Sequence, residues 1–457
     1  MIRFAFLAVV LAVVLAGCAT APDRPGPTSS ATTRPSLTAC TPNAGVQPGH
    51  LAHITVTPEE AGTWLVAFAF AEPESALVFA SSAGDYRRAT WTPLDTGVRL
   101  VREGAYDTVL FDQPSTSARF RVAPPNVVVH GNYSPVLTFS DGAQAVYVRQ
   151  FELLRVADAE AAAALQTLRD WRGEQLPVTL TLDTEATLVT AGEKVPGPAC
   201  FDSRESTYVY MGLGEVTEGR SYVGIVDPGL PAWLESTFDQ DLYALFGTLE
   251  EAFGSPLPQR ANLLFAYGGP DEEGISLKGS VLPGLTLALE VGGDKLGTPS
   301  DALRATFLSF FAHEGAHLFQ MRAGTVETAE NWIHEGHAVA VADRLILEET
   351  LGALPDPGPC RDALQSGEPL PTVLASHPYG CGARVWSLAD RLAPRDDLYS
   401  LWDRLAETVG DAQADSEHVL SVLRAAGARG PLYDALALAL RGGGDVDLVS
   451  LLDPEED

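Results

Sequence analysis

The chain has 457 residues, 46% hydrophobic and 20% charged, a globular composition that excludes a disordered or fibrous chain and fits two or three domains. Its 60 Asp and Glu against 30 Lys and Arg leave a net charge of -30. That charge argues against a nucleic-acid partner, whose phosphates it would repel, and against an anionic membrane face.

Met1 to Gly17 reads as a signal segment: Arg3 supplies the positive end, and Phe4 to Ala16 is apolar but too short for a stable span. It ends in Leu15-Ala16-Gly17-Cys18, which resembles the bacterial lipoprotein cleavage box, with Cys18 as the acylated first residue of the mature chain. Acyl chains there would hold the protein to a membrane while its body stays in water. Ala19 is not an acidic retention residue, so an outer-membrane or cell-surface anchor is expected, with the body in the periplasm or outside the cell. From Ala19 to about Pro48 the Pro, Ser, Thr and Ala content without periodicity predicts a flexible tether. Of five cysteines, Cys40, Cys200, Cys360 and Cys381 remain as an even set in an oxidising compartment, and disulfides are expected. Three connectivities are open; closeness in the chain favours Cys360 with Cys381 and Cys40 with Cys200.

From His50 to about Val189, short β-rich runs alternate with turn residues: His53–Val56, Trp64–Phe70, Ala76–Ala80, Val98–Val101, Thr108–Phe111, Arg119–Val122 and Val127–His130. That spacing predicts a β-sandwich. Ala159–Trp171 reads as a helix and Val178–Leu182 as a strand. Beyond Cys200 the pattern becomes α+β, with a helix near Pro231–Phe253 and strands at Asn262–Tyr267 and Gly284–Glu290. Thr298-Pro299-Ser300-Asp301 reads as a helix start capped by Thr298, the helix running to about Arg322 and stopping at Gly324. A second helix is expected from Thr328 to Glu349, and further helices fill Arg384–Arg441.

The first of these helices carries His313-Glu314-Gly315-Ala316-His317. Residues four apart share a helical face, so both imidazoles can meet one Zn2+ ion while Glu314, one position round, addresses a water. The next helix offers Trp332-Ile333-His334-Glu335-Gly336-His337-Ala338, in which Glu335 is the favoured third ligand. His334 and His337 compete for that role or flank the site as pocket residues.

These two motifs resemble those of the gluzincin metallopeptidases, the thermolysin and aminopeptidase N clan, whose second motif often reads Trp-x-x-Glu-Gly-x-Ala; Trp332, Glu335, Gly336 and Ala338 match it in place. The likeness covers about 261–391. It implies that His313, His317 and Glu335 bind zinc, and that Glu314 polarises the attacking water and carries its proton to the leaving amine. The same resemblance points to Tyr379-Gly380-Cys381-Gly382 as a Tyr-x-x-Gly pattern, with the Tyr379 phenol stabilising the oxyanion and His377 as the alternative.

Three departures qualify it. Only seventeen residues separate His317 from Glu335, so the connecting turn must be tight. The stretch Gly279-Ser280-Val281-Leu282-Pro283-Gly284 carries no acid where the aminopeptidase branch has Gly-x-Met-Glu-Asn, so the amine anchor is missing unless Glu290 substitutes. Val339 stands where the thermolysin branch has an Asp that orients the first histidine, leaving Glu330 or Asp343 as candidates.

The resulting expectation is an α+β protein: signal peptide 1–17, acylated Cys18 and linker 18–48, β-sandwich-like domain 49–196, gluzincin-like zinc catalytic domain 197–355 and a helical part 356–457. It would be a lipid-anchored zinc peptidase acting on a peptide or protein, its substrate pairing with a strand edge at Gly284–Glu290. The alternative is a non-catalytic surface binding lipoprotein on a metallopeptidase scaffold.

Overall fold

The structure, a computed structural model, describes residues 46–452 apart from 60–61, 83, 125–133, 191, 204–206, 283, 324–325, 349–357, 411 and 444–445. The signal segment, Cys18, Cys40 and the expected strand at Val127–His130 lie outside the described residues. The chain divides into two compact units, one reaching Ala232 and including Gln259–Thr298, the other made of Trp233–Pro258 and the chain from Pro299.

In chain order the first unit contains β1 (Ala52–Pro58), β2 (Trp64–Phe79), α1 (Tyr86–Thr90), β3 (Trp91–Pro93), β4 (Val98–Glu103), β5 (Tyr106–Val122), β6 (Val136–Thr138), β7 (Gln144–Tyr147), β8 (Leu153–Val156), α2 (Ala159–Ala164), β9 (Val178–Leu182), β10 (Thr187–Thr190), β11 (Glu193–Pro196), β12 (Ala199–Asp202), β13 (Tyr208–Gly212), β14 (Val216–Glu218), β15 (Tyr222–Val226), β16 (Ala261–Gly269), β17 (Ser276–Leu282) and β18 (Thr286–Gly292). They form three sheets: β12-β9-β1-β2-β5-β3 with β4 on β5 and β8 on β2, then β11-β10-β13-β7-β6, then β14-β15-β16-β18-β17.

Alternation along the middle sheet explains how it serves two cores. Val209 and Met211 of β13 join Phe68, Trp91 and Phe120 of the first sheet, whereas Tyr208 and Tyr210 join Val223, Leu264 and Ala288 of the third. Successive strand side chains point to opposite faces, so a sheet covered on both sides must be apolar at every position, as β13 nearly is. Cys200 is buried on β12 and disulfide-bonded.

The structure departs from the sequence expectations in three places here. Two pairs of expected strands are single long ones, β2 and β5. Their register shifts between Ala69 and Glu74 and again before Ala76, and Pro73 and Pro114 fall inside those irregularities, where no ladder hydrogen bond is asked of them. The expected helix Ala159–Trp171 stops at Ala164, because Leu165 turns extended and packs with Val78, Leu154 and Trp171. Third, Gly284–Glu290 is no edge: β18 pairs with β16 on one side and β17 on the other, so a substrate strand cannot add there. Strand β17 escapes a sequence reading because Lys278-Gly279-Ser280 looks like a loop. Glu290, the candidate amine anchor, sits on β18 with Lys278 Nζ 3.7 Å away, and burial raises its pKa.

The second unit is helical: α3 (Ala232–Thr237) continues through a π-helical turn (Phe238–Leu242) into α4 (Tyr243–Ala252), followed by α5 (Asp301–Gln320), α6 (Asn331–Glu348), α7 (Gly358–Gln365), α8 (Leu370–Ser376), α9 (Gly380–Leu392), α10 (Leu398–Val409), α11 (Ser416–Ala425), α12 (Pro431–Leu440) and α13 (Leu448–Leu452). Among the described residues no helix is long and apolar enough to cross a membrane. Every residue from Phe311 to Gln320 is buried, which makes the second half of α5 the centre of this unit rather than an amphipathic surface helix. Cys360 and Cys381 form the disulfide expected from their closeness, joining α7 to α9 across a Cα–Cα distance of 5.2 Å.

Helices α6 and α9 meet backbone to backbone at glycines. A Cβ on Gly336 would lie 2.5 Å from the Gly382 Cα. Alanine is favoured over glycine inside a helix by about 1 kcal/mol, but overpacking against an immovable backbone costs about 1–3 kcal/mol. Gly336→Ala is therefore expected to lower the urea unfolding midpoint; an unchanged midpoint would show that the two helices separate freely.

Candidate metal centre

Helix α5 starts two residues later than its sequence suggested. The cap is Ser300, not Thr298: its side chain accepts from the Leu303 N–H at 3.1 Å, and Pro299 precedes the helix. From that start, twelve residues of helix lead to His313 and bring His317 onto the same face, their ring centroids 4.6 Å apart. Gly315 lies between them facing α4, where a Cβ would be 2.7 Å from Leu249 Cδ1, so a side chain there would have to displace that methyl.

Glu335 enters from α6. Its Oε2 is 3.2 Å from His317 Nε2 and 3.3 Å from His313 Nε2, and the two Nε2 atoms are 3.1 Å apart. Bonds of about 2.0–2.1 Å to a tetrahedral zinc would put ligand atoms about 3.3 Å from one another. The three donors thus lie at the edge lengths of one face of that tetrahedron. Among the described residues they are the one group of three such donors gathered closely enough to share an ion.

All are buried: His313 is 9% exposed, His317 5% and Glu335 6%. A carboxylate taken out of water needs a cation beside it. Burial pushes the Glu335 pKa up, but hydrogen bonds and charge from the two imidazoles outweigh it and hold the carboxyl far below its usual range. On His317 burial works to lower the pKa, and Glu335 overcomes it and raises it. This donor chemistry, one anionic oxygen and two imidazole nitrogens converging in a buried space, fits a zinc ion.

Glu314 is likewise buried, 5% exposed, lies outside the three-donor group, and its charge raises the His317 pKa. His334 stacks on His317, with ring centroids 4.1 Å apart and planes at 24°; its Nδ1 is 3.9 Å from Glu335 Oε1, and burial lowers its pKa well below the ordinary value. His337 points the other way, its Nε2 3.0 Å from the Leu398 carbonyl, and burial lowers its pKa to about 3. Tyr379 is the N-cap residue of α9, half-buried, its ring 6.1 Å from that of His313. His377 ends α8 and has no part in the three-donor group.

The residue bonded to the outer nitrogen of His317 is one that sequence reasoning passed over. Gln320 Oε1 accepts from His317 Nδ1 at 2.7 Å. The candidates expected to orient the first histidine, His313, are engaged or placed elsewhere: Glu330 accepts from the Trp332 indole and from Ser416, and Asp343 lies two turns along α6 from Glu335. The available signal was the three-residue spacing of His317 and Gln320, which puts them on neighbouring positions of one helix.

Asp343 is an orphan. Its Oδ1 is buried without a hydrogen-bond partner, and burial, only partly offset by Arg384, raises its pKa to about 6. A carboxyl whose folded pKa exceeds its unfolded 3.8 costs nothing at low pH and progressively destabilises the fold as pH rises from about 4 to 6. Asp343→Asn is expected to stabilise the protein at pH 7 by up to about 3 kcal/mol, with the gain vanishing below about pH 4. Urea titrations at the two pH values check it, and no gain at pH 7 would mean the carboxylate has a partner in solution.

Two structures of the M1 zinc metallopeptidase from Deinococcus radiodurans align with this chain, one of them a point mutant bound to a Tyr-Ser-Ala substrate. Sequence identity is 14% for the mutant and 13% for the other; each alignment covers 90% of this chain and 96% of that one, with a TM-score of 0.43. No family model and no curated protein matches the sequence. The overlay is loose, and the chemistry of the site stands on this chain's own side chains.

Proposed function

We propose that this chain is a zinc-dependent peptidase, held to the cell envelope through acylated Cys18. The observation that carries the catalytic part is the convergence of His313 Nε2, His317 Nε2 and Glu335 Oε2 within 3.1–3.3 Å of one another. Three protein donors on one face of a tetrahedron leave the fourth corner for water or substrate, the arrangement of catalytic rather than structural zinc. Bound there, zinc would lower the pKa of water to about 7 and polarise a carbonyl oxygen.

The remaining steps belong to the side chains. Glu314 takes the proton of the attacking water and delivers it to the departing amine, a role its charge and its place beside the imidazoles suit. Tyr379, on the His313 side, donates its phenolic hydrogen to the developing oxyanion. His334, neutral through burial, walls the site against His317. The peptide specificity follows from the likeness of the two motifs to gluzincin peptidases, and the envelope location from the Leu-Ala-Gly-Cys box.

The test is to incubate purified protein with a mixed peptide library, with free and blocked N-termini, before and after chelation. Cleavage that disappears on chelation and returns with zinc is expected. Zinc binding with no cleavage of any peptide would favour the non-catalytic binding lipoprotein, and a folded chain that takes up no zinc would end the metal reading.

A further inference from the structure

Behind His317 runs a chain of hydrogen bonds whose direction is fixed at both supports by backbone. His337 Nε2 is 3.0 Å from the Leu398 carbonyl oxygen, which can only accept, so that nitrogen carries a hydrogen. Gln320 Nε2 is 3.1 Å from the His334 carbonyl oxygen, again an obligate acceptor, so the amide nitrogen of Gln320 must face that way. The second hydrogen of the same NH2 reaches His337 Nδ1 at 2.9 Å. The Gln320 oxygen is thereby turned to His317 Nδ1, 2.7 Å away, and favours a hydrogen on that nitrogen.

The parts of this chain are themselves held. Gln320 is 1% exposed and its backbone carbonyl accepts from the Trp402 indole at 3.1 Å. The His337 ring lies between Trp386 and Trp402, at 4.9 and 4.8 Å. Leu398 opens α10, whose start is fixed by Asp397 accepting from the Ser400 N–H at 2.9 Å.

We propose that Gln320, supported by His337, is a positioning residue that holds the neutral His317 ring in its Nδ1–H form, so that the Nε2 lone pair faces the ion's place once the ring has lost its second proton. This rests on the zinc reading above for its purpose, though not for its geometry. Imidazole in water exchanges freely between two tautomers, and only one of them can ligate through Nε2. An amide whose two ends are assigned by two backbone carbonyls disfavours the wrong one, and it also fixes the ring plane.

The experiment has two arms. Nitrogen-15 NMR of the histidine rings at alkaline pH, on protein stripped of metal, reads the His317 tautomer directly; a proton on Nδ1 is expected, and one on Nε2 overturns the proposal. In the second arm, zinc affinity is measured by chelator competition. Gln320→Leu is expected to weaken it about 10- to 100-fold. Gln320→Glu still accepts from His317 Nδ1 and is expected to restore it to within about threefold, with a lower melting temperature because the His334 carbonyl and His337 lose their donor. A folded Gln320→Leu protein with unchanged affinity overturns the proposal. A wild-type protein that binds no zinc defeats the metal reading instead, and the tautomer measurement still decides this one.

Discussion

Glu314→Gln is expected to reduce peptide hydrolysis by about 10²- to 10⁴-fold while leaving one zinc bound per chain. Glu314 is buried, close enough for its charge to act on His317, yet stands outside the donor triangle, so its replacement by an isosteric amide removes a base without removing a ligand. The amide keeps the volume in a helix segment where every neighbour is buried, so the fold has no reason to adjust. Measuring kcat/KM on a cleaved library peptide alongside metal content separates the two roles. Loss of zinc together with activity would make Glu314 a ligand or a structural residue, and full activity without it would require a different base.

Glu335→Gln has the complementary signature: zinc binding is expected to weaken on the order of 10²- to 10³-fold, because two neutral imidazoles remain and the only anionic donor is gone. Its pH behaviour gives a second reading. Glu335 raises the His317 pKa above its ordinary 6.5, so in the intact protein protons compete with zinc at a higher pH than they would at an unsupported imidazole. Without the carboxylate that support is lost, and the pH below which protons begin to weaken zinc binding is expected to move down.

The zinc-free cluster carries its own linkage. His317, with its raised pKa, contributes stability present below about 6.5 and lost as pH rises through the folded value. Glu335, with its depressed pKa, contributes stability present above about 4.5 and lost as pH falls. The contribution of the pair to the metal-free fold is therefore largest in mildly acid solution. Chelator competition and thermal melts across that range check both statements; a Glu335→Gln protein with undiminished affinity would remove this residue from the site.

Local chemistry was legible where the chain itself fixes geometry. His313 and His317 share a face because four residues of α-helix make little more than one turn, whatever surrounds them. The breaks on either side of α5, the identity of α6 and the joining of Cys360 to Cys381 were visible for the same reason: short-range spacing leaves few alternatives. The cap was misread because Thr298 and Ser300 both qualify, and the choice between them turned on where the chain enters the helix.

What sequence could not resolve was which of three neighbouring side chains on α6 would face α5. His334, Glu335 and His337 diverge around the helix, about 100° per residue, and only the rotation of α6 selects among them. That rotation is set by packing with α9, where Gly336 and Gly382 let two backbones touch, and by the Trp386 and Trp402 rings that receive His337. The interior position of β18, the fusion of expected strands into β2 and β5 and the double-sided middle sheet were hidden for the same reason. The residues supplied the donors, but partners distant in the chain chose their directions, because burial on one face or another is a property of what packs there.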